Sequence, residues 1–93
     1  MEANAIKTAQ AGTLESMDCL VMITEWSAGR LVEVSGGAVV RFKASMEKHI
    51  NDTLDALGTD EPLRISVQDN GALDVVLGAR IEAAYKRYAR LAV

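Results

Sequence analysis

The chain has 93 residues, which is enough for one small domain with a single hydrophobic core, and we assign residues 1–93 to it. Hydrophobic residues make up 49% of the sequence, too many for a disordered chain. The net charge of −3 argues against a nucleic-acid partner. The single cysteine excludes an internal disulfide. The sequence has neither a signal-peptide pattern nor a membrane-spanning apolar run, so we expect a cytoplasmic protein with no membrane partner.

The first third of the chain is predicted to be extended. Met1 to Gln10 has no clear period and is either a frayed lead-in or the start of an edge strand. From Gly12 to Trp26 the pattern is that of strand, interrupted at Ser16–Asp18, where Ser and Asp side chains favour a turn. Ser27-Ala28-Gly29 predicts a second turn, after which Arg30–Ser35 reads as the returning strand.

The remainder of the chain is predicted to form helix, strand and helix. Ala38 to Leu57 has helical periodicity, Leu63 to Gln68 alternates apolar with polar residues, and a second helix should run from about Ala72 to Leu91. The predicted buried stripes are Val39, Phe42, Met46, Ile50, Leu54 and Leu57 in the first helix and Leu73, Val76, Leu77, Ile81, Ala84, Tyr88 and Leu91 in the second.

Two acidic or amide side chains, Asp69 and Asn70, are predicted to cap the second helix, with Asp74 in its first turn. The order of the elements predicts an α+β fold, a two-layer sandwich in which a small mixed β-sheet of three to four strands has two helices on one face.

Ser16 is the residue on which the functional interpretation depends. Read alone, it is an ordinary turn serine or an exposed point of attachment. It is a poor candidate for a catalytic nucleophile, because no general base is visible beside it and the G-x-S-x-G context is missing. His49, the only histidine, reads as a solvated helix-face residue, and Cys19 as a small buried hydrophobe. We therefore identify no catalytic residues.

The carboxylates Asp69, Asp74 and Glu82 do not predict a metal site. The first two have capping and helix-dipole roles, and Glu82 has Lys86 four residues ahead. Arg80 lies close to the buried stripe of the second helix, where a guanidinium needs a partner. It is expected to pair with Asp74 or Asp69, or to face a partner protein.

Two stretches carry a resemblance to a known family. They are Ala11-Gly12-Thr13-Leu14-Glu15-Ser16, followed two residues later by an apolar strand, and Asp69-Asn70-Gly71-Ala72-Leu73-Asp74 with the downstream Ala79-Arg80. In this order and in a chain of this length they resemble the acyl carrier (gamma) subunit of bacterial citrate lyase.

The resemblance implies a role for Ser16 and a set of partners. A dedicated transferase would attach 2′-(5″-phosphoribosyl)-3′-dephospho-CoA covalently to Ser16, and a ligase would acetylate its thiol. The alpha (CoA-transferase) and beta (lyase) subunits of the citrate lyase complex would then act on acetyl and citryl thioesters carried by this non-catalytic chain.

Two alternatives remain open at this point. The same arm could serve citramalate lyase or malonate decarboxylase. From a different class, the chain could be an unmodified α+β protein-interaction module whose exposed sheet face binds a partner. A stand-alone enzyme fits worst, because the sequence contains no base–nucleophile pair and no metal cluster.

Overall fold

The computed structural model describes residues 6–37 and 39–91 and contains the predicted elements together with a strand near the N-terminus. The edge-strand interpretation is confirmed for Thr8 to Gln10, whereas Met1 to Ala5 lie outside the described residues. In chain order the elements are β1 (Thr8–Gly12), β2 (Asp18–Glu25), β3 (Arg30–Gly36), α1 (Val39–Ala56), β4 (Leu63–Asn70) and α2 (Asp74–Ala89).

The four strands form one mixed sheet in the order β1-β2-β4-β3. The β1–β2 and β2–β4 pairs are antiparallel, and β3 is parallel to β4. The prediction that β3 returns beside β2 is therefore wrong, because β4 lies between them. The loop 26–29 can make this step, since four extended residues reach about 13 Å and two strand spacings amount to about 10 Å. The helix α1 then provides the crossover that a parallel β3–β4 pair requires.

Both helices cover one face of the sheet, which confirms the predicted two-layer α+β fold. The alternation of β4 is as predicted, with Leu63, Ile65 and Val67 fully buried. Cys19 is also fully buried, and this burial raises the pKa of its thiol to about 11. Neither helix in the described residues is long and apolar enough to cross a membrane. The core consists of Ala11, Cys19, Val21, Ile23, Ile50, Leu54, Leu63, Ile65, Val67, Leu77, Ile81, Ala84 and Tyr88.

The predicted helix stripes are wrong at three positions. Phe42 is 50% exposed because α1 is kinked there (φ −124°, ψ 16°), which turns its first residues away from the core. Leu73 is 58% exposed because it precedes α2 and acts as its N-cap residue, and Leu91 is 38% exposed because it lies beyond the last turn. The central parts of both stripes are buried as predicted.

One end of the domain gathers several chain segments, and we call it the serine end. It comprises the β1–β2 turn, the last residues of β3 and β4, and the first turns of α1 and α2. The strand register fixes this arrangement, because Asp18 pairs with Asn70 and Gly36 pairs with Asp69. The residues of the two resembling stretches therefore meet in space although they are more than fifty positions apart.

The adjacent glycines Gly36 and Gly37 provide a test of this packing. Gly36 has φ +125°, and a Cβ there would overlap the carbonyl oxygen of Asp69, whereas a Cβ at Gly37 would meet nothing within 4 Å. We expect Gly36→Ala to lower the free energy of unfolding by about 2 kcal/mol or more. Gly37→Ala should change it by less than about 0.5 kcal/mol. Urea unfolding measures both, and equal effects would contradict the register.

Candidate functional site

The five residues of the β1–β2 turn, Thr13 to Met17, present Ser16 to solvent. The backbone N–H of Asp18 donates to the carbonyl oxygen of Glu15 at 3.2 Å, so Ser16 and Met17 are the central residues of a tight turn. Ser16 is exposed, and no hydrogen bond joins its hydroxyl to any residue in the described part of the chain. The hydroxyl is thus accessible to another molecule.

An ion pair fixes the C-terminal side of this turn. Arg80, on α2, donates from Nε to Oδ1 of Asp18 at 3.0 Å and from Nη2 to Oδ2 at 2.9 Å. The Asp18 side chain is only 13% exposed, so the pair is shielded from water on the carboxylate side. This contact corrects the sequence-based expectation, which paired Arg80 with Asp74 or Asp69. Two parallel N–H···O bonds also fix orientation better than a single one.

The Asp18 carboxylate extends this contact into a network. Its Oδ2 accepts from the hydroxyl of Thr13 at 2.7 Å, and its Oδ1 accepts from the backbone N–H of Cys19 at 2.7 Å. Hydrogen bonds from Arg80, Thr13 and Cys19 hold the pKa of the Asp18 carboxyl far below its usual range. The Thr13 hydroxyl in turn accepts from the backbone N–H of Glu15 at 3.1 Å. Both sides of the turn are thereby tied to α2.

Asn70, the last residue of β4, holds the turn from the neighbouring strand. Its side-chain Nδ2 donates to the carbonyl oxygen of Leu14 at 2.9 Å, and its own carbonyl oxygen accepts from the backbone N–H of Met17 at 2.7 Å. These anchored residues stand on either side of Glu15 and Ser16. Glu15 and Ser16, the tip of the turn, therefore lie between two residues that are held by Asn70.

The predicted N-cap of α2 is wrong. Leu73 occupies that position without a side-chain hydrogen bond, because Asp69 and Asn70 are used elsewhere. The Asp69 carboxylate accepts from the backbone N–H groups of Gly71 and Ala72 at 3.2 and 3.1 Å, which fixes the bend between β4 and α2. Asp74 does lie in the first turn of the helix, as predicted.

The other titratable candidates have structural contacts. His49 is half-buried rather than solvated, and its Nε2 donates to the carbonyl oxygen of Asp74 at 3.0 Å, where α1 meets α2. Lys86 donates to Glu82 at 2.7 Å, as the spacing predicted. Within residues 6–37 and 39–91, no three metal-ligating side chains are grouped together.

Sequence reasoning missed the roles of Asp18, Thr13 and Asn70. The sequence predicts Asp18 only as part of a turn and Asn70 only as a helix cap, and it predicts no contact for Thr13. In the structure Asp18 and Asn70 contact segments that are distant in sequence, and Thr13 binds the Asp18 carboxylate. The one available signal was Arg80 itself, since a partly buried guanidinium requires a carboxylate. It could not identify a partner 62 positions away in the sequence.

The backbone of Met17 is strained, with φ at +66°. This region is uncommon for a residue that is not glycine, and such strain is often found at functional sites. We expect Met17→Gly to be more stable than Met17→Ala by about 1 kcal/mol, because both variants remove the side chain and only glycine relieves the strain. Thermal unfolding of the two variants measures the difference, and a more stable alanine variant would contradict the strain.

The ion pair predicts a pH dependence. A lowered pKa means that the contribution of Asp18 is complete above its ordinary value of 3.8 and is lost as the pH falls below it. We expect Asp18→Asn to lower Tm at pH 7. When thermal unfolding is repeated at lower pH, down to about 2.5, the difference in Tm between this variant and the unsubstituted protein should become smaller.

Asp52→Asn is the matched control for this experiment. It removes the exposed pair between Lys48 and Asp52, which is screened by solvent and contributes little, so it should change Tm little at any pH in the series. A difference for Asp18→Asn that stays constant over the whole range would show that the carboxylate is not held in its charged form by Arg80.

Comparisons with known proteins identify the family of this chain. The family model described as "Malonate decarboxylase delta subunit (MdcD)" matches residues 6–88. "Citrate lyase acyl carrier protein 2" of Salmonella typhimurium is 41% identical over 85 residues, covering 90% of this chain and 87% of that protein. "Citrate lyase acyl carrier protein" of Lactobacillus acidophilus is 40% identical over 80 residues, covering 86% of this chain and 81% of that protein.

A solved structure shares the fold. In a Pseudomonas malonate decarboxylase hetero-tetramer in complex with malonate, one chain superposes with a TM-score of 0.65 at 22% identity, covering 95% of this chain and 92% of that chain. The similarity in sequence confirms the resemblance carried by the two stretches at the serine end. This chain therefore belongs to the acyl carrier protein family that includes the citrate lyase acyl carrier proteins and the malonate decarboxylase delta subunit.

Proposed function

We propose that this chain is the acyl carrier subunit of a citrate lyase complex and that Ser16 is the covalent attachment site of 2′-(5″-phosphoribosyl)-3′-dephospho-CoA. The observation that carries the proposal is the exposed hydroxyl of Ser16, which makes no hydrogen bond within the described part of the chain. It lies at the tip of a turn that Arg80 and Asn70 hold in place by hydrogen bonds. An attachment site needs an accessible hydroxyl more than it needs neighbouring catalytic groups. The turn meets this need, because Ser16 is exposed to solvent.

The surroundings of Ser16 support attachment rather than catalysis. Its nearest titratable neighbours along the chain are the carboxylates Glu15 and Asp18, and Asp18 is held ionised by Arg80. No described side chain hydrogen-bonds to the Ser16 hydroxyl, so we expect the base and the cations for phosphoryl transfer to come from another protein. When attached, the group supplies a thiol for acyl carriage. The chain holds the attachment point rigid and carries out no step itself.

Two lyase subunits and two modifying enzymes are the proposed partners. They are the alpha (CoA-transferase) and beta (lyase) subunits, the prosthetic-group transferase and the acetylating ligase. Tethering keeps the acyl group at a high local concentration near both lyase subunits. A cytoplasmic location is part of the same proposal.

A malonate decarboxylase is the second candidate complex. The family model carries that description, and the superposed chain comes from such an assembly. The citrate lyase reading is favoured because the citrate lyase relatives are about twice as similar in sequence, at 41% against 22% identity. The remaining alternative is an unmodified module that binds a partner through the open face of the sheet. In that case Ser16 would stay unmodified.

Intact-mass spectrometry tests the attachment. Co-production with the citrate lyase transferase and the enzymes that make its donor should add the mass of one phosphoribosyl-dephospho-CoA group to the chain. Ser16→Ala should abolish the addition, whereas Ser27→Ala, at an exposed serine of the opposite loop, should leave it intact. A mass increase that survives Ser16→Ala would refute the assignment. The modified protein should then restore citrate cleavage, and not malonate decarboxylation, to complexes lacking their carrier.

A further inference from the structure

Four large apolar side chains are exposed on the two segments that meet at the serine end. Leu14, Met17, Leu73 and Val75 are 56%, 61%, 58% and 75% exposed, and among the other described large hydrophobic residues only Ile6 and Phe42 are 50% exposed or more. Exposed apolar clusters on small proteins are unfavourable in water and commonly mark interaction surfaces. We call these four residues the serine-end patch.

The patch is brought together by contacts already described. Asn70 hydrogen-bonds to the backbone of both Leu14 and Met17, and the next residue, Gly71, approaches the Met17 backbone at 3.8 Å from the position a Cβ would occupy. Leu73 and Val75 lie two and four residues after Gly71 in the chain. Helical periodicity also assigned Leu73 to the core, yet more than half of its surface is exposed to solvent.

Two carboxylates are interleaved with the patch. Glu15 lies between Leu14 and Ser16, and Asp74 lies between Leu73 and Val75. Among the residues that the structure describes, neither carboxylate takes part in an ion pair, unlike Asp18. The residues next to the hydroxyl in the chain and in the patch are therefore apolar or carry an unpaired carboxylate. A complementary surface has apolar side chains accompanied by Lys or Arg.

We propose that the serine-end patch is the docking surface for the transferase that modifies Ser16, which meets it with apolar side chains surrounded by Lys and Arg. The inference rests on the proposed attachment at Ser16. An enzyme that reaches the Ser16 Oγ must cover Leu14 and Met17, which lie within two residues of it. Its donor is a polyphosphate, so its active site must carry cations, and the same cations can neutralise Glu15.

In the transfer reaction this chain supplies only the Ser16 hydroxyl. A bond forms between Ser16 Oγ and the donor phosphorus, and the phosphoanhydride bond of the donor breaks. The hydroxyl proton passes to a base of the transferase, and the leaving polyphosphate departs with the bonding electrons. A second copy of this chain is a poorer occupant of the patch, because symmetric pairing would bring the same unpaired carboxylates together.

The test uses the double substitution Leu73→Ser with Val75→Ser. Serine at the N-cap of α2 supplies the side-chain hydrogen bond that the native residue lacks, so the variant should unfold at or above the Tm of the native protein. Incubated with purified transferase and donor, it should be modified with kcat/KM lowered about tenfold or more, mainly through a raised KM. The double substitution Met22→Ser with Leu91→Ser, at exposed apolar residues outside the patch, is the matched control.

Charge is tested separately with Glu15→Gln. The native rate at low transferase concentration should fall as salt is raised, and the variant should show a weaker dependence. Modification of the double patch variant within twofold of the native rate overturns the inference, as does a patch-dependent dimer in sedimentation. If the native chain is not modified at all, the proposed function fails instead, so the two failures are distinguishable.

Discussion

The contact between Arg80 and Asp18 organises the serine end of this protein. It joins α2 to the start of β2 and, through the same carboxylate, to Thr13 on the other side of the turn. A buried or half-buried ion pair contributes less to stability than its Coulomb energy suggests, because both groups lose water. Its main effect here is geometric. A bidentate pair with further hydrogen bonds permits one orientation of the turn, and the position of Ser16 follows from it.

The turn is anchored on both sides and exposed at Ser16, and an attachment site needs both properties. The carbonyl oxygen and side chain of Asn70 bind the residues on either side of Glu15 and Ser16, yet no residue in the described part of the chain hydrogen-bonds to the Ser16 hydroxyl. Met17 accepts backbone strain so that this arrangement can form without a glycine. If Ser16 is the attachment site, as proposed, a transferase would meet a hydroxyl whose position is already fixed, because the turn is ordered during folding and not during the encounter.

Local rules predicted most of the fold, and contacts across the sheet account for the errors. Periodicity located both helices and the alternation of β4, and the propensities of Ser and Asp located the turn at Ser16. The position of β3 depended on a crossover that a three-residue turn signal does not specify. The partner of Arg80 and the use of Asp69 as a bend former depended on strand register, which brings the two resembling stretches together only in the folded chain.

The burial of Cys19 has a consequence for acyl chemistry. It is the only cysteine of the chain, it is inaccessible, and its pKa of about 11 keeps the sulfur protonated at physiological pH. An activated acyl group held near this domain would therefore meet no accessible thiol on the domain itself. Self-acylation, which would strand the cargo on a dead-end thioester, is prevented by the packing of the sheet.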